Sequence, residues 1–303
     1  TNAWHIRSVL GQKSDIFSTT ATLGRPVIVA VLDSGVDYTH EDLSSVMWSS
    51  SRCADETGAL KPTACTNGYD FVSNDGDPSS SDGSIHGTAV ASLIGAVTDN
   101  GKGIASISQN RAKIMALRVA DQDIISADAL VKAVYFAIYN GADVINMSLA
   151  GPTYSQALQD AITYAESRGV TVVVAAGNFG QNIDFTPVYP ASYPNANVIA
   201  VAATDKTGHL TSFSDYGSGT VDVAAPGYQI YVATPGNTYS ALNGTSFSAP
   251  IVASYIARGI SEGKLASNTV ISIPTDSLMT GVSGGRVLGA AVSSTPSTDV
   301  NPF

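Results

Sequence analysis

The chain has 303 residues, 44% hydrophobic and only 13% charged, with 15 Lys and Arg against 25 Asp and Glu for a formal charge of −10 at pH 7. That length supports one large core in a single domain, and the acidic balance excludes nucleic acid as a partner, because phosphate neutralisation needs clustered Lys and Arg. Apolar runs such as Val170–Ala176 are too short to cross a bilayer, so no membrane span is expected. The first residues lack the charged-then-apolar pattern of a signal peptide, so any targeting segment is expected to have been removed. Surface-like segments rich in Ser, Thr, Gly, Asn and Ala suit an exported protein.

Residues 1–25 are mixed and polar, with Trp4 and Ile6 placed to dock an N-terminal arm. Pro26–Leu32 is apolar without alternation, the pattern of a strand buried on both faces, and it stops at Asp33-Ser34-Gly35. An acid at the carboxyl end of a central strand stands where open α/β sheets bind ligands, although an Asp here also suits the cap of a turn. Residues 49–85 read as loops around a short segment, Tyr69–Val72. Cys53 and Cys65 lie within them, separated by Gly58 and Pro62, a spacing that suits a loop-closing disulfide better than a metal site, with two free thiols as the alternative. His86 opens a run of small residues through Gly95, expected to be a helix. Of the four histidines it is the best-placed base, since His5 lies in the arm, His40 follows a turn and His209 sits in a polar loop.

Beyond it the periodicities predict strands at Lys113–Val119, Val144–Ser148, Val170–Ala176 and Val198–Ala203, and helices at Ala127–Tyr139 and Ser155–Ser167. That alternation predicts an α/β fold: a doubly wound, mostly parallel sheet flanked by helices on both faces. Asn243-Gly244-Thr245-Ser246 then forms a glycine turn ahead of a small, apolar helix from Phe247 to about Ile260, interrupted by Pro250. Backbone N–H groups without intrahelical partners gather at such a helix start, so an anion developing beside Ser246 would meet donors. Ser246 is the candidate nucleophile, while by itself the string suits a helix cap better. Serine needs a base and a group to orient it. The chain offers Asp33, His86 and Ser246 in that order, and Ala175-Ala176-Gly177-Asn178 adds an amide at the end of another buried strand to meet an oxyanion.

These strings, V-L-D-S-G-V-D at Asp33, H-G-T at His86, N-M-S-L-A-G at Ser148, A-A-G-N at Asn178 and G-T-S-F-S-A-P at Ser246, resemble the subtilisin-like serine proteases. The likeness runs over roughly residues 20–290, including G-G-R-V-L-G-A-A-V at 284–292, and the order Asp, His, Ser is the subtilisin order. Ala89, Ser92, Ala150, Phe247 and Ser248 depart from the family's usual residues; none removes a catalytic group, and Ala150 is expected to narrow the cleft.

The resemblance implies a catalytic domain over 1–290 with a surface tail at 291–303. It implies a secreted serine endopeptidase, monomeric, acting on extended polypeptides through an acyl-enzyme, with a propeptide or proteinaceous inhibitor as a further partner. The primary pocket would be built from Ser148, Leu149, Ala150 and Gly151, from Ala175 and Gly177, and from the segment near Val188, with substrate pairing between Ile124–Ser126 and Ser148–Gly151. These residues hold no carboxylate, so apolar side chains before the scissile bond are expected. One or two structural calcium ions follow by similarity. The first would take Asp42, the Asn100 side chain and the carbonyls of Val97, Lys102 and Ile104; the second would take Asp70 and Asp75. The rivals are an esterase, disfavoured because Ser246 lacks the G-x-S-x-G elbow, and a catalytically inactive binding protein of the same fold.

Overall fold

A computed structural model of the protein describes residues 24–80, 83–121 and 124–265, together with His5. The predicted N-terminal arm, the 284–292 stretch and the tail at 291–303 lie outside the described residues.

Among the described residues the centre is a seven-stranded, all-parallel sheet. Its members are β1 (Val27–Asp33), β4 (Gly68–Asp70), β5 (Ala112–Arg118), β8 (Val144–Met147), β9 (Thr171–Ala175), β10 (Val198–Thr204) and β11 (Val223–Pro226). Their spatial order is β11-β10-β9-β8-β1-β5-β4. Short antiparallel ribbons flank it: β2 (Ser49–Ser50) with β3 (Cys65–Thr66), β6 (Ala120–Asp121) with β7 (Ile124–Ile125), and β12 (Ile230–Thr234) with β13 (Thr238–Leu242). The apolar runs of the sequence are explained by burial on both sides. Ala30 and Leu32 of β1 face one apolar cluster and Val27, Val29 and Val31 face the other. Helices α2 (Ala127–Tyr139) and α3 (Gln156–Ser167) cover the first face, and α1 (His86–Gly95) and α4 (Thr245–Ser261) the second. The three-layer architecture is the doubly wound one expected.

Element boundaries follow local chemistry. Ser126 caps α2 by accepting from the Ala129 N–H, and Ser155 caps α3 through the Leu158 N–H. The short segment expected at Tyr69–Val72 is instead β4, ending at Asp70 because that carboxylate accepts the N–H groups of Val72 and Ser73 and turns the chain. Cys53 and Cys65 form the expected disulfide, with Cα atoms 5.7 Å apart. Strand β11 and the β12–β13 hairpin went unread in the sequence. The hairpin turns at Pro235-Gly236-Asn237, where Gly236 and Asn237 have φ of 76° and 59°, and it delivers the chain directly to the serine turn.

Three neighbouring strands, β1, β8 and β9, end at the same edge of the sheet. Asp33 terminates the first, Ser148 follows the second and Asn178 follows the third, so parallel topology alone brings three predicted residues to one crevice.

Candidate active site

The construction begins at the turn after β1. Asp33 is buried, and its Oδ1 accepts the Ser34 N–H at 2.8 Å and meets His86 Nδ1 at 2.8 Å. A carboxylate only accepts, so the Nδ1 proton is fixed between them and the basic lone pair is left on Nε2. Helix α1 reaches this close because its second residue is glycine: a Cβ on Gly87 would lie 2.1 Å from the Gly35 carbonyl oxygen and 3.2 Å from Asp33 Oδ1. The Gly87 N–H donates to Ser34 Oγ, tying the helix start to the same turn. The Phe247 ring leans on the imidazole, centroids 5.7 Å apart.

Ser246 sits in the first turn of α4 and not ahead of it, because the helix begins at Thr245, two residues before the Phe247 start expected from the sequence. Gly244 precedes it with φ of 147°, a backbone state that favours glycine, and no side chain caps the helix. The first-turn amides therefore face the cleft with the positive end of the helix dipole. Ser246 Oγ donates to the Ser148 carbonyl at 3.3 Å. In return Ser148 Oγ donates to the Ser246 carbonyl at 2.7 Å and accepts from Asn146 Nδ2 at 2.9 Å. Pro250 is accommodated, buried, inside the helix, and Ser248 Oγ bonds to carbonyl oxygen at the end of β11.

Asn178 is oriented by Thr245, whose N–H and Oγ1 both donate to Asn178 Oδ1 at 2.9 Å. With its oxygen committed, the amide offers Nδ2–H to the cleft. Asp33, His86, Ser246 and Asn178 line one cleft of about 250 Å³, together with Ser148, Leu149, Ala150, Ala175 and Phe179. Among the described residues, Asp33 and His86 are its titratable lining groups. A smaller, apolar hollow of about 150 Å³ adjoins it through Ile125, Leu149 and Ala150, and holds Gly151, Leu130, Leu158 and Tyr189.

Two pocket residues read from the sequence fall elsewhere. Val188 is 2% exposed inside the core, and it is the neighbouring Tyr189 that reaches a cavity, held by reciprocal backbone bonds with Gly151. Gly177 lies behind the cleft wall against Asp215, where a Cβ would meet Asp215 Oδ2 at 2.1 Å. The orienting roles of Ser34 and Thr245 escaped sequence reasoning. Each depends on contacts between segments far apart in the chain.

Among the described residues no three His, Cys, Asp or Glu side chains converge as a metal site. The first predicted calcium loop does assemble. Asp42 is fully buried and meets Asn100 Nδ2 at 2.6 Å, the Ile104 N–H at 2.9 Å and the Tyr239 hydroxyl at 3.0 Å, while its backbone oxygen accepts the Val97 N–H. Lys102 pairs with Glu41 at 2.8 Å. A cation fits here only if the Asn100 amide turns its oxygen, now bonded to the Lys102 N–H, beside Asp42. The second loop does not fit. Asp70 is buried and saturated, with Oδ1 taking two backbone N–H groups and Oδ2 taking Arg118 Nη1 at 2.7 Å, so an internal guanidinium occupies the place proposed for an ion. Asp75 Oδ1 turns back to accept the Asp77 N–H.

A profile of the Subtilase family matches residues 24–272. The chain is 40% identical over 241 residues to thermitase from Thermoactinomyces vulgaris, covering 79% of this chain and 77% of that one. It is 36% identical over 243 residues to subtilisin DY from Bacillus licheniformis, covering 80% and 79%. In structure it is similar to a protease from Pseudoalteromonas arctica, with a TM-score of 0.75 and 26% identity over 96% of this chain and 94% of that one. Carrying this site on this fold, with these relatives, the chain belongs to the subtilase family of serine endopeptidases.

Proposed function

We propose that the protein is a secreted endopeptidase that cleaves extended polypeptides through an acyl-enzyme on Ser246. The observation that carries the reading is the 2.8 Å bond from His86 to buried Asp33, in a cleft shared with Ser246 and Asn178. His86 Nε2 takes the Ser246 hydroxyl proton as Oγ bonds to the scissile carbonyl carbon. The carbonyl π electrons move onto oxygen, which the Asn178 Nδ2–H and the Ser246 N–H receive. Collapse breaks the C–N bond, and the imidazolium gives its proton to the departing amine; water then attacks the ester by the same route. Asp33 holds the tautomer and stabilises the imidazolium without itself taking a proton.

Beyond Asp33 and His86 the described lining residues are uncharged, which supports a preference for apolar side chains before the scissile bond. Exposed Ile124 and half-exposed Ile125 in β7 stand as an edge for a substrate strand, opposite 148–151. A propeptide or protein inhibitor would use the same edge. The Cys53–Cys65 disulfide supports an oxidising, extracellular location, and no described helix is long and apolar enough to cross a membrane. The 97–104 loop is the calcium site retained.

The decisive experiment treats wild type and Ser246→Ala with a serine-directed phosphonate and with peptide anilides of varied sequence. Phosphonylation and turnover by wild type alone support the reading. Binding of peptide by wild type without turnover would favour the inactive binding protein, and a profile dominated by Arg or Lys would remove the apolar preference.

A further inference from the structure

Asp215 is a fully buried carboxylate that the chemistry above does not use. It follows β10 by eleven residues and lies behind the segment that carries Asn178. Its Oδ1 accepts the Phe179 N–H at 2.9 Å and the Gln181 N–H at 3.0 Å, and its own N–H donates to the Gly177 carbonyl at 2.9 Å. Residues 177 and 179, which bracket Asn178, are thus both bonded to one side chain and its backbone. Its Oδ2, buried without a hydrogen-bond partner, lies where a Cβ on Gly177 would come within 2.1 Å, and φ at that glycine is 117°. The Gly180 N–H is held separately, by the Phe213 carbonyl at 2.8 Å.

Polar saturation of this segment by loop backbone alone would need no acid. A carboxylate accepts two converging N–H groups with charge-assisted bonds, stiffer than neutral ones, and a buried charge is retained at a cost unless such donors compensate it. Phe179 is 69% exposed and packs little, so its position rests on the backbone bond to Asp215. On the opposite side Asn178 is gripped by Thr245. The amide that meets the oxyanion is therefore clamped between the serine turn and Asp215.

We propose that Asp215 is a positioning residue for catalysis, fixing the 177–181 segment so that Asn178 Nδ2 meets the oxyanion in line. The inference rests on Asn178 being the oxyanion donor. Because donors must sit about 2.7–3.1 Å from the developing charge, loosening the clamp lowers kcat, while the Ser148–Ala150 side of the cleft lining is untouched and KM moves little.

A double-mutant cycle tests it, with melting temperatures measured beside the kinetics. Asp215→Ala is expected to lower kcat about 10- to 100-fold with KM within about threefold, as partial loss of a donor worth about 100- to 1000-fold. Asp215→Asn keeps an acceptor for both N–H groups and is expected to recover most of that kcat. In an Asn178→Ala background, Asp215→Ala is expected to cost less than about threefold more, because both substitutions remove one interaction. Should Asp215→Ala not fold, Asp215→Ser, which keeps a single hydroxyl, takes its place in the cycle. Equal losses in both backgrounds, or a lower melting temperature with kcat intact, would overturn the proposal. If Asn178→Ala by itself leaves kcat unchanged, the oxyanion assignment falls and this inference with it.

Discussion

Gly87 offers the sharpest separation of activity from stability. Substitution by alanine puts a Cβ 2.1 Å from the Gly35 carbonyl oxygen, where contacts under 3.0 Å essentially never occur. The Gly35 turn cannot retreat, since it already lies against the backbone of Ser79 and Ser80 and has φ of 98°. Helix α1 is buried from Gly87 to Gly95, so its first turn must lift by about 1 Å while the rest stays packed. The 2.8 Å Asp33–His86 bond then stretches beyond hydrogen-bonding range. Misplacement on the order of 1 Å at a catalytic group costs about 100-fold. Overpacking costs about 1–3 kcal/mol, but alanine returns up to about 1 kcal/mol of helix propensity, so the net loss of stability is small beside the loss of rate. The assay is kcat on a peptide anilide for Gly87→Ala, with the melting temperature taken in a Ser246→Ala background to prevent autolysis. A kcat within about twofold of wild type would show that α1 is not seated on Gly35 as described.

Three further outcomes are expected. Arg118→Ala strands the buried Asp70 carboxylate and releases the β6 ribbon at Asp121, costing about 3–5 kcal/mol of unfolding free energy; a loss below about 1 kcal/mol in denaturant titration would mean the pair is idle. For calcium, melting is expected to rise with the logarithm of its concentration and to fall in excess EGTA, with Asp42→Asn abolishing the response and Asp75→Asn leaving it intact; identical curves in both media would remove the 97–104 site. Burial pushes the Asp215 carboxyl above its ordinary 3.8, against the pull of the N–H groups of Gln181 and Phe179. With the folded value raised, its contribution is full below about 3.8 and is lost as pH rises through the folded value. Asp215→Asn, which cannot ionise, is therefore expected to gain stability relative to wild type as pH climbs from about 4 to neutral, and a gap independent of pH would contradict that burial.

Most central strands and the helices were legible because each is written in local pattern, unlike β11 and the β12–β13 hairpin. Val27–Asp33 and Thr171–Ala175 run apolar on both faces, and Ser126 and Ser155 announce helix starts by themselves. Asp33, His86, Asn178 and Ser246 were readable too, since each lies in a string that suits a strand end or a helix start. What sequence left open was whether those strings meet. Only the strand order, with β8 and β9 beside β1, brings their ends together, and pairing order is set by packing between segments over a hundred residues apart. The same holds for error. The sequence shows Asp70 and Asp75 as an acidic, oxygen-rich loop, and nothing nearby reveals that β5 carries Arg118 into register with Asp33 and onto Asp70. Val188 was assigned to the pocket by similarity to the family, while the backbone pairing of Tyr189 with Gly151 presents Tyr189 to a cavity and leaves Val188 in the core. Local chemistry determined which residues are able to react; the tertiary contacts of Gly87, Thr245 and Asp215 decided how they are aimed, because orientation is a property of partners that share space and not sequence.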